Sequence, residues 1–210
     1  MDSKTAVPKL GAERGAELYA LPCVGDRLVA ALPTVIAQVA RETSVASVAS
    51  RIARAFVLEL GARTARVYLF SRTSERSLTL VAAENIDAST RARLRVLDAG
   101  DGVPAAVTAR SALLQLMDAD DAPTFGGQRD AVGLPGAERV AMGLPLFADS
   151  VTLGALSADF DFLVPRQCAA LGTLSDSLGA LIDRARLRDD LASPPSDAPT
   201  RPLKPEARLW

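Results

Sequence analysis

Between residues 45 and 60 the apolar residues Val45, Val48, Ala49, Ile52, Ala53, Phe56, Val57 and Leu60 keep a spacing of three and four. Immediately afterwards the period changes to that of a strand. This switch constrains the fold more than any other feature. The spacing predicts one helix with a single apolar stripe, which has to be buried against another layer. Thr43 or Ser44 is suited to cap its start, and Gly61 sits where a left-handed C-terminal residue belongs. The next apolar segments, Ala65 to Phe70 (ARVYLF) and Ser77 to Ala83 (SLTLVAA), read as strands joined by the polar turn SRTSER. Val67 and Leu69 point one way, and Tyr68 and Phe70 the other. Neither face is polar, so the sheet is expected to be covered on both sides.

A helical pattern precedes this unit from Asp26, with Leu28, Leu32, Val35, Ile36 and Val39 on one face and Pro33 as a kink or a second start. Downstream, Asp87 to Arg95 reads as a short helix entered from Asp87. A Gly100-Asp101-Gly102 turn follows, then a helix with Pro104 in its first turn, then a strand within Ala112 to Met117. Asp118 to Ala137 is rich in Gly, Pro and Asp and reads as a long loop. Glu138 to Phe147 and Val151 to Phe160 alternate as a strand pair, with Val140, Met142, Leu144 and Leu146 on one face. The Gly and Ala content of that pair, Gly143 and Gly154 above all, calls for a close neighbour: a packed element or a small ligand. Pro165 opens a last helix whose narrow stripe of Leu171, Leu174, Leu178, Leu181, Ile182 and Ala185 reads as a seam for another helix. The chain thus divides into a leader (1–25) without sustained period, a folded unit (26–190), and a Pro-rich tail (191–210) expected to be disordered. Residues 193–210, which contain PLKP and end in Leu209-Trp210, are a candidate docking peptide for a protein partner.

Composition removes several function classes. Hydrophobic residues make up 49% of the 210, enough for a real core, but aromatics are only 4%, so that core is built of Ala, Val and Leu. Net charge is -1, and the arginines are interleaved with acids, which argues against a nucleic-acid binder. The longest nearly apolar run, Leu28 to Ala40, is too short for a bilayer, and a cytoplasmic protein is expected. With no histidine, the chain cannot build a Ser-His-Asp triad or a histidine-ligated zinc or haem. Cys23 and Cys168 are two lone thiols with neither disulfide nor metal spacing. Asp118, Asp120 and Asp121 lack a second ligand group at diagnostic spacing, so no metal site is read there. Asp101 reads as a turn or cap residue.

The order of these elements, with Gly100-Asp101-Gly102, Pro145-Leu146 and Leu153-Gly154-Ala155-Leu156 at their places, resembles that of the GAF domain family over residues 28 to 188. The resemblance implies an α+β fold: a central antiparallel sheet of about six strands, with long helices on one face. Short helices and loops then form a small-molecule pocket on the other face. That pocket is expected to draw on Tyr68, Phe70, Val103, Val107, Leu114, Phe125, Arg129, Met142 and Leu144, with Tyr68 and Arg129 giving polar contacts. The amides opening the helix at Gly102 to Ala105 could hold an anion. Family chemistries that need a pocket cysteine, a histidine or an Asn-Lys-Phe-Asp-Glu pattern find no counterpart. The expectation is therefore a non-enzymatic sensory module without cofactor or catalytic residues. It would bind a small molecule and signal through a homodimer or a partner. The alternative is a ligand-free scaffold, dimerised through residues 171–185 with Leu28 to Val39. No output domain is read in these residues, so output is expected to lie in another protein or another segment.

Overall fold

The structure, a computed structural model, describes residues 24–71, 74–98, 102–110, 114–116 and 140–192. Twelve elements follow one another there: α1 (Val24–Val39), α2 (Val45–Leu58), β1 (Thr64–Ser71), β2 (Ser74–Glu84), α3 (Ala88–Arg93), β3 (Val96–Asp98), α4 (Gly102–Arg110), β4 (Leu114–Leu116), β5 (Val140–Ala148), β6 (Val151–Phe160), α5 (Pro165–Gly172) and α6 (Leu174–Ala192). The strands form one antiparallel sheet in the order β3-β2-β1-β6-β5-β4. Its two edges are the three-residue strands β3 and β4. This is the expected α+β architecture.

Local chemistry accounts for most boundaries. Ser44 caps α2 in a reciprocal box: the Ser47 amide donates to Ser44 Oγ, and the Ser44 amide to Ser47 Oγ, each at 3.2 Å. Gly61 takes φ 77° beyond the end of α2, a backbone conformation glycine adopts without strain. Asp149 and Ser150 both have positive φ and make the two-residue turn between β5 and β6, matching the twist of the flanking strands. Pro33 lies inside the unbroken α1, on its exposed side, where water can replace the bond the ring removes. The single final helix expected from Pro165 is two helices. Thr173 alone separates α5 from α6, and its hydroxyl donates to the Ala170 carbonyl at 2.7 Å. The strand β3 escaped the sequence reading because three residues carry no measurable period.

Asp87 caps α3 and is held well below the usual carboxylate range. The Ser89 hydroxyl contributes most, then the Thr90 hydroxyl and the Thr90 amide. A carboxylate depressed in this way stabilises its helix above the unfolded pKa, and that contribution is lost as pH falls through the folded value. An NMR titration should therefore find Asp87 still ionised at about pH 3, where an unperturbed aspartate is mostly protonated. A midpoint near that of exposed aspartates would mean that the cap is not formed.

Two apolar cores flank the sheet. On one face α1, α2, α5 and α6 pack against Val67, Leu69, Met142, Leu144, Leu146 and Leu156. Ile52, Phe56, Leu178 and Ile182 are all fully buried there. The stripe Leu171, Leu174, Leu178, Ile182 and Ala185 is consumed in this core, as are Leu28, Leu32, Val35 and Val39. This corrects the expectation that these residues form a seam for a second copy. The stripe meets β5 and α2 of its own chain, because a helix that roofs a sheet and one that pairs in a coiled coil need the same spacing.

Candidate functional site

On the other face of the sheet α4 packs on β5 and β6, and a smaller core of Tyr68, Leu78, Leu94, Leu97 and Ala105 forms, with Phe70 and Leu80 against it. Strand alternation decides what else faces this side. Arg66 and Thr64 share the parity of Tyr68 in β1, and the register sets them opposite Ser157 and Asp159 of β6. An ion pair is thereby buried in the middle of an apolar sheet. Arg66 Nη2 donates to Asp159 Oδ2 at 2.9 Å and to Ser157 Oγ at 3.2 Å, and the Thr64 hydroxyl donates to the same Oδ2 at 2.5 Å. The Arg66 side chain is 4% exposed and that of Asp159 is 9%. An arginine and a carboxylate ordinarily meet through two parallel bonds. Here one nitrogen and one oxygen carry every contact, and Arg66 Nε and Asp159 Oδ1 are buried with no hydrogen-bond partner. Such atoms are rare because leaving them unmet is costly, so their occurrence together marks this face as the candidate site.

The expected pocket residues divide. Tyr68 and Phe70 lie on this face. Val107 is fully buried in α4, which packs over β5 and β6, and Val103 opens the same helix. Leu114 in β4 pairs with Gly143. Met142 and Leu144 belong to the opposite core, under the long helices, because every second residue of β5 points there. They therefore do not share a side with Tyr68, which corrects their place in the set. Phe125 and Arg129 lie outside the described residues, as do Asp101, the Asp118 to Asp121 cluster and Cys23.

Gly154 meets protein. A Cβ on Gly154 would lie 2.8 Å from Leu69 Cα and overlap the Tyr68 carbonyl of the neighbouring strand. Cys168 is buried in the helix-side core, and that burial pushes its thiol pKa up, away from nucleophilic use. Among the described residues no group of His, Cys, Asp or Glu could hold a metal ion, and no helix is long and apolar enough to cross a membrane. Among the described residues, two open grooves lie elsewhere. One, of about 370 Å³, runs between β2 and α3 past Arg91 and Arg95. The other, of about 510 Å³, lies between the Asp149-Ser150 turn and α6.

Helix α6 ties the two layers together. Arg184 donates to the Ala40 carbonyl at 2.7 Å, Asp189 accepts from the Val45 amide at 3.0 Å, and Arg186 donates to the Phe70 carbonyl of β1 at 3.4 Å.

Comparison with known proteins agrees with this architecture. No family model and no curated protein sequence matches the chain. Among solved structures, the GAF domain of a phosphoenolpyruvate-protein phosphotransferase from Coxiella burnetii superposes with a TM-score of 0.65 at 18% identity, covering 79% of this chain and 98% of that one. The corresponding domain from Acinetobacter gives 0.63 at 14%, covering 78% and 97%. Free methionine-R-sulfoxide reductase from Neisseria meningitidis, solved with its substrate, gives 0.63 at 21%, covering 78% and 92%. The fold is that of a GAF domain. At these identities the likeness concerns the fold alone, and function has to be argued from the site.

Proposed function

We propose that this protein is a non-enzymatic sensory or regulatory module that binds a small molecule on the α4 side of its sheet. One observation carries the reading: the buried Arg66–Asp159 pair, with an unmet donor and an unmet acceptor. A purely structural ion pair would be expected to satisfy both. Tyr68, Phe70, Val103, Val107 and Leu114 are the proposed surroundings. The binding change passes through β1, whose Arg66 and Tyr68 face the ligand side while Val67 and Leu69 face the helices. From there it reaches α6 through Arg186. Such a shift requires a ligand that binds two arrangements with different affinity. Cys168, buried as a thiol, suits a reducing, cytoplasmic setting. The one cysteine of the described residues, Cys168, lies in the helix-side core and not on the α4 side proposed for binding.

A second reading, scaffolding by self-association, is favoured by Leu187 and Leu191. They lie one turn apart on α6 and are 58% and 88% exposed. Native mass spectrometry of the purified chain, followed by a thermal-shift screen of uncharged, anionic and cationic metabolites, separates the two. A retained or stabilising small molecule is the expected result. A bare dimer that no compound stabilises would overturn sensing in favour of scaffolding.

A further inference from the structure

The chemistry of the unmet atoms narrows what can bind, given the sensory reading on which this inference rests. Arg66 and Asp159 already neutralise each other, and both are desolvated. A ligand that brings a net charge into that environment adds an unbalanced charge to a low-dielectric site, which is strongly unfavourable. A zwitterion avoids the net charge but gives up the hydration of two ions. Of the pair's fully buried polar atoms, those left without a partner are one N–H donor, Arg66 Nε, and one oxygen acceptor, Asp159 Oδ1. Each belongs to the same planar group as an atom of the 2.9 Å contact, so a ligand group of a few atoms can reach both. We propose that the Arg66–Asp159 pair selects ligands through an uncharged group that presents an acceptor beside a donor: a carboxamide, a lactam or a urea. The carbonyl oxygen accepts from Nε, and the N–H donates to Oδ1. Ser157 and Thr64 take no part in that contact. They hold Nη2 and Oδ2 to their present partners and so keep the other two atoms turned toward the ligand.

The proposal makes a specificity inversion testable. Benzamide, benzoate, benzylammonium and phenylglycine have similar bulk and differ in charge and hydrogen-bonding pattern. Binding to the full chain is read by saturation-transfer NMR and thermal shift. Wild type should prefer benzamide by about tenfold or more over the three charged compounds, the size of one mismatched buried polar contact. In Asp159→Asn the amide oxygen can keep the Arg66 and Thr64 bonds, which places Nδ2 where Oδ1 was. The site then holds two donors and a net positive charge, so benzoate should overtake benzamide. Arg66→Lys keeps the charge but removes the Nε donor, and should lose benzamide while its melting transition stays cooperative. A wild-type preference for benzoate, benzylammonium or phenylglycine overturns the ligand class and leaves sensing intact. Benzamide binding unchanged in Arg66→Lys, or no inversion in a folded Asp159→Asn, overturns the site. Failure of wild type to bind benzamide overturns the proposal, whereas failure of the whole metabolite screen is what overturns sensing.

Discussion

Replacing Gly179 with alanine should destabilise the protein by about 3 kcal/mol, the upper part of the range for overpacked sites. A temperature midpoint about 10 °C lower is the corresponding shift for a chain of this size. The direction is the informative part. At a solvent-facing helical position the same change stabilises by roughly 0.5–1 kcal/mol, because alanine loses less conformational freedom. Gly179 is a helical position in α6, but it lies directly on β5. A Cβ there would overlap the carbonyl group of Phe147 and come within 2.5 Å of its backbone nitrogen. Backbone cannot rotate aside as a side chain can, so the helix has to lift. Lifting α6 also pulls Leu178 and Ile182 out of the core and strains the Ser175 bond to the Pro145 carbonyl. Thermal and urea unfolding of Gly179→Ala would check this. A midpoint equal to or above wild type would mean that α6 does not sit on β5 as described.

Removing Asp159 should be comparably costly. Asp159→Ala leaves the Arg66 guanidinium buried without its counter-charge, and breaking a buried pair from one side typically costs about 3–5 kcal/mol. Replacing both partners is different. Arg66→Met combined with Asp159→Leu removes both desolvated charges, and should recover most of the stability. The double variant keeps the fold but lacks the polar site, so it should bind no ligand. Equilibrium unfolding of the two variants gives the contrast. If Asp159→Ala lies within about 1 kcal/mol of wild type, the pair is hydrated, and the argument for a site on this face fails with it.

Some elements were readable from sequence because their information is local. The stripe of Val45 to Leu60, the serine cap at 44 and the glycine at 61 each act within a few residues, and α2 forms where they place it. The α3 cap at Asp87 is of the same kind. The site was not local. Arg66 stands out as a charge in the middle of ARVYLF, and Asp159 as a charge in the apolar run that ends at Phe160. That signal was present, but it acquires meaning only when two strands ninety-three residues apart are set in register. Tyr68 and Phe70 were correctly separated from Val67 and Leu69 by alternation within one strand. Alternation within β5 likewise grouped Met142 with Leu144, yet could not say which layer that group faces.

The sequence by itself determined the kind and order of the main elements, the capping of α2 and α3, and a sheet covered on both sides. Those follow from side-chain periodicity and from hydrogen bonds that close within one turn. Only the tertiary structure decided that the 171–185 stripe is spent on the chain's own sheet, that Gly179 lets a helix rest on backbone, and that Arg66 meets Asp159 with two polar atoms left over. Each of these depends on which surfaces face each other across the molecule, and strand register and layer assignment are set by packing of the whole chain rather than by any one segment.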